Sequence, residues 1–127
     1  MPYRREIMPN FYQPRFTRLW LPVILYAGLI FVLSSLPAAK IPLEISKLDK
    51  FFHLLEYLFF GILIARGIKG TYPALSIKRI YFLVAIIALL YGISDEFHQF
   101  FVPGRTVSLW DALSDGLGGL IGALFIR

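Results

Sequence analysis

The sequence predicts an all-α protein, a four-helix transmembrane bundle with both termini in the cytoplasm, on three observations. Apolar residues make up 57% of the 127-residue chain and charged residues only 17%, whereas soluble domains are usually about 45–50% apolar and about 25% charged. The apolar residues fall in runs close to the roughly 20 residues that a helix needs to cross a bilayer. Basic residues separate these runs unevenly, which is the pattern that orients membrane proteins.

Four apolar runs predict one transmembrane domain over residues 19–127, with spans at about 19–36, 48–68, 79–101 and 107–126. Helices are expected because lipid offers no partner for unpaired backbone groups. The second run is a span only if its buried charges are tolerated, and the fourth carries two aspartates in its first half. Residues 1–18, with three prolines and four arginines, are expected to form an irregular basic segment against anionic lipid.

The 13 Lys and Arg residues set the predicted topology. Nine of them precede the first span, lie in or next to the connection between the second and third spans, or end the chain, and four lie in or next to the other two connections. This excess predicts cytoplasmic termini in a multi-pass membrane protein. A nucleic-acid partner is not predicted, because the basic residues lie between apolar runs. A cleaved signal peptide is not predicted either, because Leu36 and Pro37 stand where cleavage requires a small residue.

Ionisable residues inside the spans point to a functional site. Six of the eight acidic residues and both histidines fall inside or at the ends of the last three spans, and the chain has no cysteine for disulfide or thiolate chemistry. A charge at the bilayer centre costs about 2.5–3.5 kcal/mol on insertion scales, so such residues usually mark function. At about 1.5 Å per residue, Glu56, Asp95 and Asp115 lie roughly 10, 9 and 12 Å inside the outer ends of their spans.

Polar side chains also recur at helical spacing, which places them on one face of each span. In chain order these stripes are Asp49, His53, Glu56 and Tyr57; Tyr91, Asp95, His98 and Gln99; and Ser108, Asp111 and Asp115. Three helices therefore bring carboxylates to one level in the outer third of the bilayer. This arrangement predicts a polar pocket open towards the outer leaflet.

Structural alternatives stay open for several of these residues. Asp49 with Lys50 is also typical of an interfacial pair at a helix start, and Glu96 lies apart from the Asp95 stripe, as a residue that faces head groups would. The tyrosines also suit the aromatic belt, and the histidines suit buried hydrogen-bonding positions without chemistry. Gly118 and Gly122 have the GxxxG spacing, which predicts close helix packing.

The pattern resembles the VanZ-like family, which is named for a teicoplanin-resistance membrane protein of Gram-positive bacteria. The similarity runs from about Leu19 and is carried by Asp49-Lys50-x-x-His53-x-x-Glu56-Tyr57, Ser94-Asp95-Glu96-x-His98-Gln99-x-x-x-Pro103-Gly104-Arg105 and Ser108-x-x-Asp111-x-x-x-Asp115-x-x-Gly118-x-x-x-Gly122. A weaker likeness extends to Ser34-Ser35-x-Pro37. The resemblance implies an integral, multi-pass protein of the bacterial cytoplasmic (inner) membrane linked to glycopeptide tolerance. The family usually has Asn where this chain has Asp115, and aspartate adds a charge that a cation or a proton would compensate.

Two functional hypotheses fit the predicted pocket. The first is an enzyme that acts on a lipid or lipid-carrier head group, in which Arg105 clamps a phosphate, His98 or His53 is the acid or base, and Asp95 or Asp111 orients the imidazole. The predicted catalytic set is Asp95, Glu96, His98, Gln99, Asp111 and His53, and the predicted substrate-binding set is Arg105, Asp49, Lys50, Glu56, Tyr57, Ser108 and Asp115. The second hypothesis is a non-catalytic protein that binds a head group or a cell-wall precursor.

Cofactors and transport are less favoured by the sequence. Ion or proton transport needs polar residues on both sides, whereas the cytoplasmic halves of the spans are apolar. No nucleotide-binding motif is present. Two histidines and several carboxylates could hold Zn²⁺ or Mg²⁺, and His53-x-x-Glu56 is similar to half of a helix-bundle metal motif. This spacing is common in helices, so no metal site is assigned, a divalent metal stays a less favoured alternative, and the cofactor is left open. Membrane lipids or a lipid-linked envelope precursor are the expected partners, and the oligomeric state is left open.

Overall fold

The computed structural model describes residues 14–127 and is all-helical over that range. Its α-helices are α1 (Pro14–Ser34), α2 (Leu43–Lys47), α3 (Asp49–Thr71), α4 (Ile77–Gln99) and α5 (Leu109–Ala123), with a 3-10 turn at Ala38–Lys40. The predicted all-α class is confirmed for the described residues. Most of the predicted basic segment 1–18 lies outside the described residues, and α1 begins at Pro14.

Three of these helices have the length and composition to cross a membrane, at Arg15–Ser34, Asp49–Thr71 and Ile77–Gln99. Helix α5 has 15 residues, or about 22 Å at 1.5 Å per residue, which is short of a hydrocarbon core of about 30 Å. The fourth predicted span therefore stays a prediction. Large apolar side chains cover the outside of the bundle, with Leu25 64% and Phe82 66% exposed. Lipid solvates such a surface, whereas water does not.

Helix α5 is the centre of the packing, since it lies against both α3 and α4, while α1 packs mainly on α3. Glycines allow this close approach, because a Cβ on Gly61 would collide with the Gly119 backbone and a Cβ on Gly122 with the Leu58 backbone. On Gly118, a Cβ would stand 2.6 Å from the Leu54 carbonyl oxygen. The close packing predicted from the Gly118 and Gly122 spacing is thus present between α3 and α5.

Gly122→Ala is expected to lower the unfolding free energy by about 1–3 kcal/mol, as overpacking usually does. The added methyl group would have to displace the α3 backbone at Leu58. Gly28→Ala is the matched control, since nothing lies within 4 Å of its added Cβ, and it should leave stability unchanged or slightly raised. Thermal unfolding of both variants in one detergent measures the difference. Equal melting temperatures would contradict the proposed tight contact.

Candidate functional site

Two connections meet at one end of the bundle and form the mouth of a cavity. The Ala38 N–H donates to the Pro103 carbonyl oxygen at 3.2 Å and joins the α1–α2 connection to the α4–α5 connection. The second connection turns tightly, with the Arg105 N–H donating to the Val102 carbonyl at 3.2 Å. Gly104 has φ +76°, the value that the third residue of a type II turn requires. This turn places Arg105 at the cavity.

The cavity has a volume of about 480 Å³ and lies between the ends of α1, α3 and α4. Its charged and polar lining comprises Tyr26, Ser34, Lys40, Asp49, His53, Glu56, Asp95, Gln99 and Arg105. Its apolar lining comprises Leu29, Leu33, Leu36, Ile41, Pro42, Phe52, Leu55 and Phe59. One cavity therefore combines ionisable groups with a hydrocarbon-like wall.

His53 and Asp115 form a buried pair at the inner side of this cavity. His53 Nδ1 lies 3.0 Å from Asp115 Oδ1, and His53 Nε2 lies 3.9 Å from Asp49 Oδ1. These are the imidazole–carboxylate contacts within 4.0 Å among the described residues. Asp115 is 0% exposed and fits against α4 because Gly92 has no side chain, since a Cβ there would stand 2.7 Å from Asp115 Oδ2. The α3–α5 glycine contacts thus bring this carboxylate to the imidazole.

A second polar network links α4 to α1. The Gln99 amide nitrogen donates to Ser34 Oγ at 3.1 Å and lies 3.5 Å from Asp95 Oδ2. The Ser34 hydroxyl also hydrogen-bonds Asp95. Helix α1 therefore contributes to the polar network as well as to the apolar wall. All three residues are buried.

The three donor groups best placed for a cation come from three helices. One ligand atom each from His53, Asp95 and Asp115 lies within 4.8 Å of the others, and all three residues are buried. Each is a residue type that ligates divalent metals in proteins. Their spacing along the chain does not indicate this proximity, because it depends on how α3, α4 and α5 pack.

Comparison with known proteins places the chain in a family. Residues 7–127 match the family model described as VanZ/LLP1. The chain belongs to the VanZ/LLP1 family. With three helices apolar enough to span a membrane, it is a multi-pass membrane protein of VanZ type. No curated protein and no solved structure matches it.

In this VanZ/LLP1 protein, the predicted site residues fall into two groups and two separate positions. Asp49, His53, Glu56, Asp95, Gln99 and Arg105 line the cavity. Asp115 adjoins them through His53. Tyr57 is fully buried, its hydroxyl has no hydrogen-bond partner among the described residues, and it interacts electrostatically with Asp115 and Asp95.

Glu96, Asp111 and Ser108 form the second group, at the junction of α4 and α5. The Ser108 N–H donates to Glu96 Oε2 at 2.8 Å, and Asp111 interacts with the Glu96 charge. Glu96 is 4% and Asp111 6% exposed, so Glu96 faces the helices rather than solvent. None of the three lines the cavity.

His98 and Lys50 lie apart from both groups. The His98 ring stacks on Phe31 with centroids 4.4 Å apart, and its Nε2 lies 2.9 Å from Ser35 Oγ. Lys50 is exposed. The carboxylate that hydrogen-bonds an imidazole is therefore Asp115, with His53, and not Asp95 or Asp111.

Ser34, Lys40 and the apolar wall are cavity features absent from the predicted site. The Ser34-Ser35-x-Pro37 likeness to the VanZ-like family was the available signal for Ser34. Lys40 carried no such signal, because it lies in a connection and reaches the cavity through the fold of residues 35–48.

Proposed function

We propose that this VanZ/LLP1 protein binds the head group of a membrane lipid or lipid carrier in the cavity and acts on its phosphoester as a hydrolase or transferase. The supporting observation is that ionisable and apolar linings share one cavity. A small water-soluble substrate needs no such wall. An amphiphile needs both surfaces.

The apolar wall continues onto the lipid-facing surface of the bundle. Leu29 on α1 is 48% exposed and Phe59 on α3 is 50% exposed, although both line the cavity. The cavity therefore opens sideways between α1 and α3, where a hydrocarbon chain can lie while its head group reaches the polar side. This opening favours a substrate that arrives from the membrane.

The mouth of the cavity suits an anionic head group. Lys40 and Arg105 line it, and a guanidinium binds phosphate oxygens with two parallel hydrogen bonds. A smaller adjoining cavity of about 140 Å³ includes Arg105, Gly104 and Thr106. The PGR turn is thus the proposed phosphate-binding element.

The reacting groups of the proposal lie further inside. In a hydrolysis, water attacks phosphorus, the bond from phosphorus to the leaving oxygen breaks, and a proton passes from the water to that oxygen. His53, Asp95 and Glu56 are the lining groups that can handle this proton. In a transfer, an acceptor hydroxyl takes the place of the water.

We place the cavity at the outer leaflet of a bacterial cytoplasmic membrane, with four spans and both termini inside. The excess of basic residues on the opposite side of the bundle supports this orientation. The core towards the opposite end is apolar in the described residues, including Ile64, Ile68, Ile80 and Val84, which disfavours transport along the bundle. Head-group chemistry at the cell surface would connect the protein to envelope composition and glycopeptide tolerance.

Mass spectrometry of lipids from cells with the parent protein, with Asp95→Asn or without the protein tests the proposal. An altered head group is expected only with the parent protein. Glu44→Gln, at an exposed carboxylate outside the cavity, is the control and should act like the parent. Identical lipids in all four strains, together with stoichiometric lipid on the purified protein, would replace catalysis with simple binding. Identical lipids and no bound lipid would contradict the proposal altogether.

A further inference from the structure

We propose that His53, Asp95 and Asp115 bind a divalent transition-metal ion. The three residues come from α3, α4 and α5, and they offer one nitrogen and two carboxylate oxygens within 4.8 Å of one another. An imidazole with carboxylates suits Mn²⁺, Fe²⁺ or Zn²⁺, whereas Mg²⁺ and Ca²⁺ prefer oxygen ligands alone.

The His53–Asp115 distance supports this assignment. Two ligands at right angles, each about 2.1 Å from one ion, stand about 3 Å apart, and His53 Nδ1 and Asp115 Oδ1 are 3.0 Å apart. An ion held by both atoms would lie to one side of the line that joins them, so binding would turn the side chains towards the ion while the two atoms keep their separation. Opposite ligands around the same ion stand about 4.2 Å apart, so a donor at up to 4.8 Å needs a shift of about half an ångström.

Unpartnered buried oxygens provide a second, independent observation. Asp115 is 0% exposed and its Oδ2 has no hydrogen-bond partner among the described residues. The hydroxyl of Tyr57, also 0% exposed, is unpartnered too, and the other two such oxygens of the described residues, Glu96 Oε1 and Asp111 Oδ1, lie at the α4–α5 junction. Buried polar atoms without partners are rare in native structures and point to a water or an ion.

The balance of charges around the three residues also favours a bound cation. Glu56 interacts electrostatically with Asp95, Asp115 and Asp49, and with His53 as the opposing group. Asp95 interacts electrostatically with His53, His98 and Arg105. Burying several carboxylates around one imidazole is costly unless a cation compensates them.

Metal binding can be measured on the full-length protein in detergent without lipid, so its outcome is independent of the head-group proposal. After chelator treatment and dialysis, the protein is titrated with Mn²⁺ and followed by electron paramagnetic resonance. One saturable ion per chain is expected, with coupling to an imidazole nitrogen, and Zn²⁺ should displace it.

Asp115→Asn and Asp95→Asn should each weaken Mn²⁺ binding at least about tenfold, because each loses a charged ligand. Asp111→Asn is the matched control on α5, since Asp111 is a buried carboxylate that does not line the cavity. It acts on Asp115 only through its charge, so its loss should weaken Mn²⁺ binding clearly less than Asp115→Asn does. Circular dichroism checks that each variant is folded. If a variant does not fold, the Mn²⁺ titration of the parent protein decides by itself. A parent protein that shows no saturable Mn²⁺ binding, or no coupling of Mn²⁺ to an imidazole nitrogen, overturns the proposal. An equal loss in Asp111→Asn and Asp115→Asn overturns it as well.

Discussion

Replacing His53 by glutamine is expected to lower the rate of head-group turnover by about 100-fold or more. His53 is the imidazole that lines the cavity in the described chain, and removal of a positioned acid or base usually costs 10²–10⁴-fold. Loss of a metal ligand would have a similar effect. Glutamine retains an N–H that can donate to Asp115 Oδ1, so the buried carboxylate keeps a partner. The measurement is product formation by the purified protein, with the lipid that the mass spectrometry of the parent and variant strains identifies as substrate.

His98→Gln is the matched control for this prediction, because it makes the same exchange at the other histidine. His98 stacks on Phe31 and contacts Ser35 outside the cavity, so we expect a loss below about tenfold. The two variants therefore discriminate between the imidazoles that the sequence left as alternatives. A larger loss of turnover from His98→Gln than from His53→Gln would show that His98 is the reacting imidazole and would contradict the assignment to His53.

The class of fold could be predicted from the sequence because its signal is local. Apolar runs and buried charges lie within single segments, so α1, α3 and α4 were predictable in position to within several residues. Helix α5 was not, since residues 107–108 and 124–126 of the predicted span lie outside the helix, although most of them extend the apolar pattern. The length of an apolar run does not specify where backbone hydrogen bonding ends.

The grouping of the site residues was only partly predictable, for a geometric reason. Helical spacing placed Asp95, His98 and Gln99 in one stripe. Residues that are three and four positions apart nevertheless spread over a broad arc of the helix surface. Asp95 and Gln99 face the cavity, whereas His98 faces α1 at Phe31. Which edge of a stripe faces the bundle depends on the rotation of the helix, and that is set by packing.

Contacts between side chains on different helices are still harder to predict from a single sequence. His53 and Asp115 are 62 residues apart, and their contact depends on Gly118, Gly119 and Gly122, which bring α5 against its neighbours. The GxxxG spacing predicted that close packing but not its rotation. The apolar wall was equally hidden, because leucines that line a cavity look like leucines that face lipid.

Asp115→Ala is expected to cost about 3–5 kcal/mol of unfolding free energy, the usual effect of removing one partner of a buried pair. His53 is 5% exposed, so loss of Asp115 leaves its Nδ1 inside the protein without the carboxylate that it contacts at 3.0 Å. Ser114→Ala is the control on the same helix, since the Ser114 hydroxyl donates to the Trp110 carbonyl oxygen one turn earlier in α5. It should change stability by no more than about 0.5 kcal/mol.

The double variant His53→Ala/Asp115→Ala separates pairing from simple loss of packing. If the pair accounts for the effect, the double variant loses less stability than the sum of the two single variants, because no buried group is then left without its partner. The unfolding titrations are run with a chelator present, so that a bound ion does not contribute. Additive losses would mean that His53 and Asp115 are stabilised separately. In that case the 3.0 Å contact would not be the interaction that holds α5 against α3 at this level of the bundle.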